Sequence, residues 1–211
     1  MRTKLAVLTA AFVAAGALSS MAQSNVYSLN VVGYVNVTFT NGFNIVGNPL
    51  DKDGTGTNNT IVGVFSNTLP NNTGVFKFTG GGFNTSLGFA RGSWNADSSF
   101  NPGEAIFLSI PATTSFTFVG QVLQGSQTNQ YIVPGFNLLS SKIPLSGGIG
   151  TVLQYTPVNG DQVFLYNTAD GYHSFGFARG AWGPSEPQLS PGQGMFINTT
   201  SSSWVQNFTV Q

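Results

Sequence analysis

Along most of the chain, apolar and polar side chains alternate with a period of two, the signature of a strand with one face covered. Val75-Phe76-Lys77-Phe78 leads into Thr79-Gly80-Gly81-Gly82 and then Phe83. Val163-Phe164-Leu165-Tyr166 leads into Asn167-Thr168-Ala169-Asp170-Gly171 and then Tyr172. Both stretches predict β-hairpins whose glycines supply the positive φ of a tight turn. Asn41-Gly42, between apolar runs at 35–40 and 43–46, predicts a third. Pro102-Gly103 and Pro191-Gly192 predict turns that feed the apolar strands 105–110 and 194–198. Helical spacing is sustained only over 60–65 and 149–154, a turn or two each. The pattern predicts an all-β protein.

Three blocks of sequence occur twice in the same order. Gly42-Phe43-Asn44-Ile45-Val46 returns as Gly135-Phe136-Asn137-Leu138-Leu139. Gly88-Phe89-Ala90-Arg91-Gly92-Ser93-Trp94 returns as Gly176-Phe177-Ala178-Arg179-Gly180-Ala181-Trp182. Asn101-Pro102-Gly103-Glu104-Ala105-Ile106-Phe107 returns as Ser190-Pro191-Gly192-Gln193-Gly194-Met195-Phe196. The offsets of 93, 88 and 89 residues keep order and spacing, which is how a duplicated unit reads. We therefore expect two tandem sandwich-like units, 23–122 and 123–211, with a single fused core as the alternative. The same motifs, G-F-N-[IL]-[VL] near the start and P-G-x-x-x-F near the end, resemble those of uncharacterised secreted bacterial β-repeat proteins. Gly192-Gln193-Gly194-Met195-Phe196 fits that pattern best, whereas Glu104-Ala105 departs from it. The resemblance implies an extracellular or cell-surface role and brings no catalytic residues with it.

Composition narrows the function further. Only 7% of the 211 residues are charged, 7 basic and 7 acidic, against 41% hydrophobic and 13% aromatic. Nucleic acid and anionic membranes require clustered Lys and Arg, so neither is an expected partner. The absence of cysteine excludes disulfides, thiolate metal sites and thiol nucleophiles. Arg2 and Lys4 precede an apolar run over 5–18 and the small residues of Ser20-Met21-Ala22, the layout of a signal peptide over 1–22. That run is too short to span a bilayer, so no membrane insertion is expected. Export with cleavage after Ala22 is the expectation.

Few side chains suggest chemistry. Asp51 and Asp53, in Asp51-Lys52-Asp53-Gly54-Thr55-Gly56-Thr57-Asn58-Asn59, have the alternating oxygens of a calcium loop. The twelfth position, where a bidentate Glu belongs, is Val62, so a solvated turn is the better reading. His173 stands without a partner at motif spacing, and Asp97 with Glu104 is weak evidence for a glycosidase pair. Neither an enzyme nor a cofactor is expected. Arg91 with Trp94 and Arg179 with Trp182 form either a platform for a sugar ring or a structural stack that closes each unit. Val31-Val32-Gly33-Tyr34-Val35, similar to Phe118-Val119-Gly120-Gln121-Val122 and more loosely to 204–210, marks a joining strand. The first of these, within 26–37, is expected to pair with the edge of a neighbouring copy and build filaments. Two functions follow: a self-assembling extracellular surface protein, or a polysaccharide- or surface-binding module using exposed aromatics.

Overall fold

The computed structural model describes residues 31–210; the expected signal segment and the first part of the 26–37 strand lie outside them. The chain is all-β. Its first half runs β1 (Val32–Phe39), β2 (Gly42–Gly47), α1 (Ile61–Phe65), β3 (Thr73–Thr79), β4 (Gly82–Ala90), β5 (Ser93–Trp94), β6 (Ala105–Ile110) and β7 (Thr114–Gln121). The second half runs β8 (Gln130–Tyr131), β9 (Gly135–Ser140), β10 (Gly147–Gly148), β11 (Gln162–Asn167), β12 (Gly171–Ala178), β13 (Ala181–Gly183), β14 (Gln188–Leu189), β15 (Gly194–Thr199) and β16 (Ser203–Trp204).

Each half contains one five-stranded antiparallel sheet. The orders are β2-β6-β3-β4-β5 and β9-β15-β11-β12-β13. The duplicated sequence blocks stand at matching ladder positions in these sheets. Ile45 faces Phe107 as Leu138 faces Phe196, and Phe76 faces Phe107 as Phe164 faces Phe196. Phe89 likewise faces Trp94 as Phe177 faces Trp182. A two-stranded ribbon accompanies each sheet, β1 with β7 and β16 with β8.

Sheet and ribbon sandwich a core in the first half. Val75, Leu87, Ile106, Leu108 and Ile110 from the sheet meet Phe39, Phe116 and Phe118 from the ribbon. Helix α1 plugs the end of this layer with Ile61, Val64 and Phe65, and Thr60 caps it by accepting a hydrogen bond from the Gly63 N–H at 3.0 Å. The second half has a separate core around Ile132, Ile149, Leu153, Val163, Ile197 and Trp204. Here the expected helical stretch 149–154 forms turns instead, with the N–H groups of Val152 and Leu153 both reaching the Gly148 carbonyl. Phe208 packs against both cores.

Two expectations need correction. Asn41-Gly42 is a corner between layers rather than a hairpin, because β1 pairs with β7 while β2 pairs with β6. Phe39 at the end of β1 is buried on the ribbon side, so continuing β1 into β2 as one sheet would take it out of the core. The joining strand is also not donated over Val32–Phe39. It pairs in unbroken register with Thr114–Gln121 of its own chain, and Val35 and Val37 on it pack against the first core. The third version of the strand closes internally too, through Ser203–Trp204 and β8.

The outer faces of the two sheets pack on one another. Ile45, Ala105, Phe107, Leu138 and Phe196 form this third cluster. Strand β6 is therefore buried on both faces, Ile106 and Leu108 inward and Ala105 and Phe107 outward, which accounts for its continuous apolar sequence. The contacts between halves are reciprocal, as a two-fold axis would make them. Val46 bridges Gln193 and Leu139 bridges Glu104. The Gly47 N–H donates to the Gly192 carbonyl at 2.9 Å, and the Ser140 N–H to the Gly103 carbonyl at 2.8 Å. Each Pro-Gly turn thus caps the edge strand of the opposite half.

Close approach along this axis depends on glycine. A Cβ on Gly194 would stand 2.5 Å from the Ala105 Cβ and 2.6 Å from Ile45 Cγ2. Gly194→Ala is expected to lower stability by about 1–3 kcal/mol through overpacking. Ala105→Gly should recover part of that loss in the double variant, a coupling that urea unfolding of the four-member cycle will measure.

Candidate functional site

The residues that the sequence singles out fall at hairpin corners and loop interiors. Arg91-Gly92 and Arg179-Gly180 are the central residues of two-residue turns, with φ of 54° and 77°, and 54° and 79°. The pairs Ala90 with Ser93 and Ala178 with Ala181 close these turns, so the repeated A-R-G-[SA]-W block is a type I′ hairpin. Both arginine side chains are exposed, and no guanidinium–ring pair forms among the described residues. Trp94 is half-buried against Phe65 and Phe89, and its Nε1–H donates to the Ser66 carbonyl at 2.7 Å. Trp182 packs on Phe177 and the second core. These Arg and Trp residues make corners, not an open platform.

Asp51 and Asp53 are occupied by their own loop. Asp51 is buried; its carboxylate accepts from the Gly54 N–H and the Asn59 amide, and its backbone bonds to Gln121 in both directions. Asp53 accepts from the Thr55 N–H and hydroxyl, and these bonds hold its carboxyl below the usual range. Among the described residues no three His, Asp or Glu side chains gather as metal ligands. His173 does have a carboxylate nearby: its Nε2 lies 2.9 Å from Asp170, both groups exposed beside the β11–β12 turn. Glu104 is paired with Lys77 at 3.2 Å and accepts from the Asn101 N–H. Lys77 also donates to the Ser99 carbonyl and hydroxyl. Asp97 accepts from the N–H groups of Val62 and Ser98 and holds the start of α1. Burial raises the Tyr155 hydroxyl well above its ordinary value, and that group bonds Asp161 and Thr199 inside the second core.

Two surfaces remain. The first is the outer edge of β1. The Val122 N–H bonds the Val31 carbonyl, which fixes the phase of the ribbon: odd-numbered residues of β1 face β7. The main-chain groups of Val32, Tyr34, Asn36 and Thr38 therefore point away from it, and no other described strand pairs with β1. The edge carries no charge, proline or bulge, the usual guards of an exposed strand. A groove of about 380 Å³ lies alongside its Asn36–Thr40 end.

The second surface was not legible as a site in the sequence. Where the two sheets diverge from their contact, matching rings line two open grooves. Phe43, Phe76, Phe83, Phe107 and Tyr166 line one of about 350 Å³. Phe136, Phe164, Tyr172, Phe196 and Phe78 line the other, of about 410 Å³. The five positions correspond one to one in the two halves. Phe43, Phe83, Phe136 and Tyr172 are each about half exposed, at 46%, 52%, 52% and 51%. The signal for them was Phe76 and Phe78 alternating with Val75 on β3, which requires cover on both faces of the sheet. Comparison with protein-family models, curated proteins and solved structures finds no match for the chain.

Two expectations follow from the corners and loops. An arginine at positive φ costs about 1 kcal/mol that Asn largely avoids. Arg91→Asn and Arg179→Asn should each therefore raise the melting temperature by a few degrees. Glu186 offers a pH test. Burial alone would raise its carboxyl, but bonds from the Thr151 hydroxyl and the N–H groups of Thr151 and Gly150 outweigh it and hold it below the ordinary 4.5. A depressed folded value means stability that is present above 4.5 and is lost as pH falls through the folded value. Acid titration of unfolding should show a shallower loss in Glu186→Gln than in the parent chain.

Proposed function

We propose that the protein is an exported, non-catalytic surface protein that assembles with copies of itself by strand addition. The observation that carries this reading is the unguarded outer edge of β1. An open row of alternating N–H and C=O groups is a template for another extended chain. The strand that fits it is the 23–30 segment of a second copy, the start of the mature chain if the signal segment is cut after Ala22. It has eight uncharged residues, the length of β1, and reaches about 27 Å when extended. Because the donated segment and the accepting edge are different surfaces, each copy accepts from one neighbour and donates to another. Where the rotation between neighbours does not close into a ring, such contact propagates into filaments, which is the form we propose. The low charge of the chain favours this, since little repulsion opposes association.

Sedimentation and negative-stain microscopy of the mature chain test the proposal. Filaments should persist in molar salt, because main-chain pairing leaves little for ions to screen. Deleting 23–30 should give a folded monomer, as should Asn36→Pro, which removes one outward N–H and leaves the β1–β7 ladder intact. A mature chain that stays monomeric at high concentration, or a deletion variant that still assembles, overturns the proposal.

A further inference from the structure

We propose that the two ring-lined grooves between the sheets bind an uncharged polysaccharide. The occupant is argued from what lines the grooves and from what adjoins them. Among the described residues no charged side chain lines either ring groove, so an ionic ligand finds no counter-charge there. Four of the rings, Phe43, Phe83, Phe136 and Tyr172, offer flat apolar faces that are half exposed, whereas Phe65 and Phe100 are fully buried in the first core. Sugar rings present C–H faces of the same kind, together with hydroxyls that need donors and acceptors. For the first groove those are supplied next door, whereas the second adjoins a groove lined by Asn137 and the paired Lys77 and Glu104. Tyr166 is shared between the first ring groove and the neighbouring polar one, which continues through Asn167, Thr168 and Gln193. Asn167 and Gln193 use their side-chain oxygens within the fold, accepting from the N–H groups of Ala169 and Ser190. Their amide nitrogens have no partner among the described residues and remain available as donors.

Duplication points to a polymer rather than a single sugar. Where the rings lining the two grooves differ, Phe83 against Tyr172 and Phe78 against Tyr166, the ring stays and only a hydroxyl is added. A ligand of repeating units meets two like sites on one molecule, and binding at the second becomes intramolecular. The aromatic platform is thus moved from Trp94 and Trp182, which are engaged in corners, to Phe83 and Tyr172 with the rings around them.

Electrophoresis of the mature chain through gels containing hydroxyethylcellulose, xylan or laminarin tests this, with alginate as the charged control. At least one neutral polymer should retard the protein, and alginate should not. Phe83→Ala and Tyr172→Ala should each weaken retardation about three- to tenfold, and the double variant should abolish it. Both rings are half exposed, so the variants should still fold, with a melting midpoint lowered by several degrees but well above the assay temperature, which circular dichroism checks. Deleting 23–30 should leave retardation in place, which separates this site from strand-addition assembly. No retardation by any neutral polymer, equal retardation by alginate, or retardation indifferent to both ring substitutions overturns the proposal. Binding of a non-ionic detergent without any polysaccharide overturns it as well.

Discussion

The contact between the two sheets is the constraint from which the other features follow. Sheets packed face to face ordinarily stand about 10 Å apart. Here the small residues of the axis, Gly194 against Ala105 and Gly47 against Ser140, let the backbones come closer. A Cβ on Gly47 would fall on the Ser140 side chain, so one glycine in each pair is a steric requirement. Close approach also makes the reciprocal main-chain bonds from Gly47 and Ser140 to the opposite Pro-Gly turns reachable. Those turns need a glycine at φ of 87° and 81°, and the carbonyl of that same glycine caps the other half's edge strand. The duplicated Pro-Gly motif therefore serves the partner half as much as its own.

Matched positions show how each half adjusts. Lys77 and Glu104 form a partly buried ion pair in the first half, whereas Leu165 and Gln193 occupy the corresponding places in the second. The Gln193 side-chain oxygen still accepts from the Ser190 N–H, just as Glu104 accepts from Asn101. What both halves retain is the acceptor that fixes the turn. The charge appears only where a lysine stands opposite, since a buried carboxylate without its partner would carry a desolvation cost.

Local features were legible because local chemistry determines them. Period-two alternation, the Gly80-Gly81 turn and the repeated order of motifs led to the strands, two hairpins and the all-β class. The Asn41-Gly42 corner misread as a hairpin shows the limit. Its turn chemistry is the same in either case, and only the burial of Phe39 against Phe65 and Phe116 decides which layer β1 joins. The arginine–tryptophan pairs left a platform and a structural closure open, and their geometry is that of a corner. Arg91 and Gly92 stand at the two positive-φ positions of the turn, and Trp94 covers Phe65 and Phe89, so the block has a structural role. The ring grooves were hidden because their members come from β2, β3, β4 and β6 and their counterparts, which only the sheet order brings together.

The grooves themselves are a consequence of twist. Two twisted sheets that touch along one line separate toward their corners. The axis holds Phe107 and Phe196 at 6.1 Å, with Phe78 against Phe196 at 5.0 Å and Tyr166 against Phe107 at 5.6 Å on either side. Farther out the opposite sheet recedes, and Phe43, Phe83, Phe136 and Tyr172 keep one face against their own sheet and turn the other to solvent. Even half covered, each ring contributes about 2 kcal/mol of apolar burial against its own sheet, while its other face stays open to a ligand. Both halves keep rings at all five positions while loops, charges and turn lengths around them change. The half-exposed rings at these corners are the surface on which the proposed polysaccharide contact rests.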